Sequence, residues 1–279
     1  MRINHNIASM VGQGAIFQAS NALNKTLEKL STGLRVNRAS DDAAGLAISE
    51  KLRSQVNGLA VAQRNAQDGI ALMQIAEGAM NEISSILQRM RELSLQSAND
   101  TLTSSERNYT NQEYSSLLSE IDRIANTTTY NGMSLLNGSG FGGAGQAASI
   151  LHIGANADAS NEITITIDTM STTSLDITGG SLSSNVAALS AITSLDAAIN
   201  SVNSARADLG AYVNRLEHSI NNMMNQATNT QAAESYIRDA DFALETANFT
   251  KNSILIQSAT AMLAQANMAP QSVLSLLGH

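Results

Sequence analysis

The sequence predicts a mainly α fold, in which long antiparallel helical rods form a coiled-coil hairpin. A small β-hairpin lies in the middle of the chain, and both termini lie together at one end. Aromatic residues make up 3% of the 279 residues and there is one proline, a composition that long helices tolerate best. Apolar residues also recur at steps of three and four through both ends, whereas the middle loses this rhythm. A chain with matching ends and a different middle is most simply folded back on itself.

The first and last segments, residues 1–40 and 240–279, are predicted to be helices that pair with each other. Both carry heptad rows, and the last segment has no charged residue from Asn252 through Gly278. Polar residues interrupt this run too often for a transmembrane helix. Its apolar face is too broad for one partner helix, so we expect more than one neighbouring helix to cover it. The residues predicted to form the apolar faces of the two segments are Ile16, Leu23, Leu27, Leu30, Leu255, Ile256, Met262, Leu263, Val273 and Leu277.

Residues 41–137 are predicted to form the first half of the rods. The Ser40 hydroxyl, followed by Asp41 and Asp42, is a favourable helix start, from which the helical pattern runs to about Ala98. Thr103 and Glu106 have capping-box spacing, which predicts a second, shorter helix folding back on the first. Two Asn-Gly pairs then indicate turns that end this helix.

Residues 138–185 are predicted to hold the β-hairpin and an exposed surface segment. Ile163, Ile165 and Ile167 alternate with polar residues, which indicates a β element between about residues 148 and 168. The surrounding Ser, Thr and Gly residues are typical of a surface loop. Residues 186–239 return to the most regular heptads of the chain, which predicts the second half of the rods.

Composition excludes several functions. A formal charge of −8 argues against a nucleic-acid surface, and the absence of cysteine excludes disulfides and thiolate chemistry. The N-terminus does not look like a cleavable signal, so an exported protein of this sequence would need other machinery. Gly138, Gly140 and Gly143 match a dinucleotide-binding pattern but lack its strand and helix context, and the four histidines are scattered. We predict no catalytic, cofactor or metal site.

Long stretches at both ends resemble the terminal regions of bacterial flagellins. They include "LEKLSTGLRVNRASDDAAGLAISEKLRSQVNGL" and "NAQDGIALMQIAEGAMNEISSILQRMRELSLQSAND" in the first half, and "ARADLGAYVNRLEHSINNM" and "AESYIRDADFALETANFTKNSILIQSATAMLAQAN" in the second. The resemblance covers nearly all of the chain outside residues 138–186. It implies a structural, non-enzymatic subunit of the flagellar filament, extracellular and used for motility. It also implies that the apolar residues named above for the two ends serve self-assembly, and that the terminal helices become ordered on assembly.

The resemblance also implies partners. The chain would assemble with itself and meet the filament cap and hook-junction proteins. An export chaperone would cover the C-terminal segment before type III export, with no nucleic acid and no membrane insertion involved. A hook–filament junction protein, or another exported helical filament protein, remains the alternative. The Ser/Thr-rich middle resembles regions that carry O-linked sugars in many flagellins, and whether it is modified here stays open.

A last implication of the resemblance is recognition by the host Toll-like receptor that senses flagellin. The positions that match the receptor-contacting residues of related flagellins are Arg89, Leu93 and Glu113. Arg89 and Leu93 lie four residues apart and therefore on one helix face. Arg89 lies about 200° around the helix from the predicted core residue Leu87. A simple solvated arginine that pairs with Glu92 is the alternative.

Overall fold

The computed structural model describes residues 5–141 and 149–277, with side-chain surroundings given as far as residue 268. Its helices are α1 (Ile7–Thr32), α2 (Ala43–Ser97), α3 (Ser104–Thr127), α4 (Asn185–Arg238) and α5 (Phe242–Leu277). Its strands are β1 (Thr129–Tyr130), β2 (Met133–Ser134), β3 (Ser149–His152) and β4 (Glu162–Ile165). The predicted mainly α fold with a small β element in the middle is confirmed.

The helices begin and end where local chemistry satisfies their free backbone groups. The predicted capping box of α3 is present, because the Thr103 hydroxyl accepts from the Glu106 amide and Glu106 accepts from Thr103. The prediction for α2 was wrong in detail: Asp42, not Ser40, accepts the hydrogen bond of the Gly45 amide, at 2.8 Å. A carboxylate at this position both caps the helix and lies at the positive end of its dipole.

The described chain divides into two compact units. A terminal unit contains residues 1–54 and 228–279, and a central unit contains residues 55–227. In the terminal unit, α1 and α5 pack against each other, and the linkers beside them form a short bridge between Leu34 and Asp239. The Arg35 amide donates to the Arg238 carbonyl at 2.6 Å, and the Ala240 amide to the Gly33 carbonyl at 2.9 Å.

In the central unit, α3 and α4 each run antiparallel to α2 around one apolar core. Arg91 pairs with Asp196 at 2.6 Å and Arg206 with Glu77 at 3.8 Å, so rising numbers on α2 meet falling numbers on α4. The Ser97 and Thr110 hydroxyls lie 2.6 Å apart and join α2 to α3. The predicted heptad rows supply the core, including Met80, Ile83, Leu87, Ile121 and Leu195, which are fully buried.

The middle of the chain is more buried than its composition suggested. Strands β3 and β4 form the expected antiparallel hairpin, with Leu151 opposite Ile163. Ile163, Ile165 and Ile167 of the predicted β element are buried. The segment from residue 169 to 182 was predicted to be a surface loop, yet it also adds buried side chains to the core: Met170, Leu175, Ile177 and Leu182. Its hydroxyl-rich residues occupy the positions between these apolar ones, which is why composition alone made it look like a surface loop.

A second hairpin, formed by β1 and β2, was not predicted. The sequence analysis identified its Asn-Gly turn but not the strands on either side. Asn131 and Gly132 both have positive φ, 49° and 78°, the conformation of the turn that matches strand twist in two-residue hairpins. Thr129 pairs with Ser134 and Tyr130 with Met133. Strands this short carry no periodicity that a sequence pattern could detect.

Candidate assembly surface

The two terminal helices α1 and α5 form an antiparallel pair with a half-buried seam between them. Gly12 of α1 lies so close to α5 that an added Cβ would be 3.4 Å from Leu263 Cδ1. At one end of the seam the Asn6 side-chain amide donates to the Ala266 carbonyl at 2.9 Å. At the other end, Lys29 Nζ lies 3.1 Å from Glu245 Oε1, and this carboxylate side chain is only 10% exposed. These contacts fix how the two helices align.

Polar groups also lie inside the seam. Thr26 is 5% exposed and its hydroxyl donates to the Ala22 carbonyl at 2.8 Å. The Asn252 side-chain amide reaches the same hydroxyl at 3.5 Å. Polar side chains within a coiled-coil seam weaken packing but select one register. The α1–α5 pair therefore has a defined register with little apolar burial of its own.

The predicted assembly residues separate into two faces. Ile16, Leu23, Leu30, Ile256 and Leu263 are partly buried in the α1–α5 seam region, so the chain itself supplies partners for them. Leu27, Leu255 and Met262 are exposed, by 44%, 47% and 68%. Val273 and Leu277 lie within α5, but their side chains fall outside the described ones.

Further exposed apolar residues extend this outer face, and the sequence analysis did not single them out. They are Ile7, Met10, Val11, Phe17, Phe242, Leu244, Ile254 and Met268. A signal was present in the sequence, because Met10 and Phe17 are seven residues apart and Ile254 and Met268 are fourteen apart. We call the exposed apolar side chains of α1 and α5 the outer face of the terminal pair.

The three residues predicted to contact a host receptor do not share one environment. The Arg89 guanidinium lies 2.9 Å from Glu113 and 3.1 Å from Glu92, and about half of the Arg89 and Glu113 side chains is exposed. The hydrogen bond to Glu113, followed by that to Glu92, raises the pKa of Arg89. Leu93, by contrast, is 2% exposed and belongs to the core. Its burial argues against direct contact with a partner.

The residues considered for chemistry remain apart. Gly138 and Gly140 lie in the turn after β2, and Gly143 is outside the described residues. His5, His152 and His218 lie before α1, in β3 and in α4 respectively. Over residues 5–141 and 149–277, no three His, Asp or Glu side chains gather as metal ligands would. No helix in this described part is long and apolar enough to cross a membrane.

These features define a class of protein: a mainly helical subunit whose paired terminal helices leave an apolar face uncovered. Comparison with known sequences identifies the family within that class. The bacterial flagellin N-terminal helical region matches residues 3–140, and the C-terminal helical region matches residues 192–277. The chain belongs to the bacterial flagellin family, whose members are structural subunits of the flagellar filament.

Relatives of full length support the same assignment. The chain is 47% identical to the flagellar filament 33 kDa core protein of Treponema phagedenis, over 99% of this chain and all of that one. It is 46% identical to a flagellin of Halalkalibacterium halodurans and 45% identical to a flagellin of Bacillus subtilis, with the same coverage. The short middle segment is therefore shared by full-length relatives.

Solved structures agree at the level of the fold. The crystal structure of Bacillus cereus flagellin has a TM-score of 0.50 and 37% identity, over 61% of this chain and 94% of that one. A structure described as a flagellar hook-associated protein from Vibrio parahaemolyticus has a TM-score of 0.54 at 16% identity, over 71% and 99%. The second likeness shows a common fold only, so the full-length identities favour flagellin over the junction-protein alternative.

Proposed function

We propose that this chain polymerises into the flagellar filament through the outer face of the terminal pair, and that neighbouring subunits bury this face. The observation that carries the proposal is the exposure of Leu255 and Met262, on a helix with no charged residue from Asn252 through Gly278. Burying a leucine or methionine side chain contributes about 1.5–3 kcal/mol. Each subunit would therefore gain stability mainly by assembling.

The terminal helices are proposed to become fully ordered only on assembly. Their shared seam contains Thr26, Asn252 and the Lys29–Glu245 pair, so it buries little apolar surface within one chain. Apolar burial is the main term that offsets the entropy lost on ordering a helix. The isolated pair is accordingly the less stable part, and contact with neighbouring subunits supplies the missing burial.

Seeded polymerisation tests the proposal. Purified full-length protein is mixed with short filament fragments, and growth is followed by electron microscopy. Leu255→Asp places a charge on the outer face and should abolish elongation. Gln257→Asp adds the same charge two residues away, on an exposed polar flank of α5, and should elongate. Elongation by both variants, at the rate of the unchanged protein, would contradict assembly through this face.

Further partners are proposed for the same subunit. We propose that an export chaperone covers α5 before the chain leaves the cell by type III export. The filament cap and hook-junction proteins would then meet the assembled ends. Size-exclusion chromatography of the chain with its chaperone should give a joint peak that Leu255→Asp weakens.

We also propose that the subunit has no enzymatic activity, in keeping with a family of structural proteins.

We propose that a host Toll-like receptor recognises the exposed ion pair of Arg89 and Glu113. Leu93 is left out of the proposed contact because it is buried. Arg89→Ala should reduce receptor activation by the free subunit. Arg91→Ala is a matched control on the same helix, since Arg91 pairs instead with Asp196. Circular dichroism would check that helicity is equal. Equal activation by the unchanged protein and both variants would contradict the proposed receptor contact and leave the filament function intact.

A further inference from the structure

The methionines among the described residues fall into two groups by exposure. Five are buried, with at most 5% of each exposed, and all belong to the central core: Met73, Met80, Met90, Met170 and Met223. Five others are exposed by 39% or more: Met10, Met133, Met224, Met262 and Met268. A soluble oxidant therefore meets two populations of thioether in the free subunit, one shielded and one open.

Three of the exposed methionines lie on the outer face of the terminal pair. Met10 and Met262 are 68% exposed and Met268 is 59% exposed. Met262 follows Leu255 by one heptad, and Met10 precedes Phe17 by one heptad, so each continues a row of exposed apolar side chains. Their thioethers are the most easily oxidised groups of this face, because the chain has no cysteine.

We propose that Met10, Met262 and Met268 form an oxidation site that controls assembly. Oxidation of these thioethers to sulfoxides by a hydroperoxide prevents the free subunit from joining a filament, and enzymatic reduction restores it. This inference rests on the proposed assembly through the outer face.

The reaction balances without any group from the protein beyond the thioether. The methionine sulfur attacks one oxygen of hydrogen peroxide, an S–O bond forms, and the O–O bond breaks. The departing hydroxide takes the proton from the new S–OH group, which leaves the sulfoxide and one water. Sulfur loses two electrons and the peroxide gains them. Methionine sulfoxide reductases reverse the change, one enzyme for each sulfoxide epimer.

The consequence for assembly follows from the polarity of the product. A sulfoxide oxygen is a hydrogen-bond acceptor, and burying it without a donor is unfavourable. The outer face is made of exposed apolar side chains, none of which carries a hydrogen-bond donor. Before assembly water can hydrate the sulfoxides, whereas afterwards the neighbouring subunits displace that water. The site therefore acts on incoming subunits, and the same methionines are shielded once they are covered in a filament.

The test compares polymerisation before and after a mild peroxide treatment of the full-length protein. The dose is set by peptide mass spectrometry so that the exposed methionines are oxidised and the five buried ones are not. We expect the critical concentration for seeded growth to rise at least about tenfold, which corresponds to about 1.4 kcal/mol. Treatment with both sulfoxide reductases should return it to the starting value.

Two sets of variants locate the effect. The triple variant Met10→Leu, Met262→Leu, Met268→Leu should lose its sensitivity to peroxide. The double variant Met133→Leu, Met224→Leu, which removes exposed methionines of the central unit, should keep it. Each protein is compared with its own untreated sample, since leucine on the outer face alters growth by itself. Met1, outside the described residues, is the same in every protein compared.

The outcomes separate the inference from the proposed function. If untreated protein fails to grow from seeds, assembly itself is wrong and the inference falls with it. If untreated protein grows and oxidised protein grows equally well, only the inference is overturned. It is also overturned if the triple variant is as sensitive as the unchanged protein, because the relevant oxidation would then lie elsewhere.

Discussion

The terminal and central units are built from the same heptad pattern, yet they bury very different amounts of apolar surface. All the fully buried hydrophobic side chains described belong to residues 55–227, with the single exception of Val36. Most of the large exposed ones belong to the terminal unit, even though it is the smaller of the two. Heptad spacing therefore shows that a helix has a packing face, but not whether the same chain covers it.

The number of neighbouring helices explains the difference. In the central unit, α2 packs with α3, α4 and the segment around β3 and β4, so a wide arc of its surface is covered. In the terminal unit, the main packing partner of α1 is α5, and that of α5 is α1. A pair of helices can cover only one stripe on each, and the outer face stays exposed. A unit of this kind is suited to completing its core with copies of itself.

The largest effect we expect is from a cavity in the central core. Leu195 of α4 is fully buried, so Leu195→Ala should lower the free energy of unfolding by about 2–5 kcal/mol. Leu255→Ala removes the same atoms from a side chain that is 47% exposed, and should change it by less than about 0.5 kcal/mol. Urea unfolding of the free subunit measures both values. Similar losses would mean that the terminal pair is already a closed core.

Hydrogen exchange compares the two units without any substitution. Amides of α1 and α5 in the free subunit should exchange at least about tenfold faster than those of residues 195–223 in α4, because opening the terminal pair exposes little buried apolar surface. In the filament the difference should shrink. Equal protection of both regions in the free subunit would contradict assembly-dependent ordering of the ends.

Much of this organisation could be predicted from local patterns. The heptad rows indicated the long helices, and the capping-box spacing of Thr103 and Glu106 indicated the start of α3. The prediction of exposure was less successful. Leu93 was predicted to share a helix face with Arg89 because the two are four residues apart, whereas α2 meets several neighbours and Leu93 is buried with Met90. Which of two apolar rows on α5 would face α1 was also undetermined, since Leu255 and Ile256 are equally apolar. Exposure depends on the number of neighbours, which spacing along one helix does not specify.

A smaller effect concerns a defect inside the central core. Tyr114 is 1% exposed and its hydroxyl has no hydrogen-bond partner among the described residues. Removing an unpaired buried polar group recovers its desolvation cost, so Tyr114→Phe should stabilise the subunit by about 1 kcal/mol. Tyr109→Phe, on the same helix but 72% exposed, is the control and should change little. A loss of stability in Tyr114→Phe would show that the hydroxyl has a partner after all.

The same tyrosine predicts a dependence on alkaline pH. Burial raises the pKa of Tyr114, so the folded subunit holds the phenol proton more tightly than the unfolded chain does. Its contribution is fully present below the unfolded pKa of about 10 and is lost as the pH rises through the folded pKa. Tyr114→Phe should therefore lose less stability than the unchanged protein between neutral pH and pH values above that point. Parallel curves for the two proteins would contradict this.

The smallest effect we predict is at the start of α3, where the contribution is local. The Thr103 hydroxyl accepts from the Glu106 amide at 3.4 Å, and the Glu106 carboxylate accepts from the Thr103 amide at 2.7 Å. Losing a cap hydroxyl costs about 0.5–2 kcal/mol, so Thr103→Ala should lower stability within that range. Thr101→Ala, an exposed threonine two residues earlier, is the control.

The same cap predicts a dependence on acidic pH. The backbone hydrogen bond from Thr103, followed by its hydroxyl, lowers the pKa of Glu106. The stabilisation from the carboxylate is therefore present above the unfolded pKa of about 4.3 and is lost as the pH falls through the folded pKa. Thr103→Ala removes one of the two groups that stabilise the charged carboxylate, so its effect should be larger at pH 7 than at pH 3. An effect that is independent of pH would mean that the threonine caps the helix without assistance from Glu106.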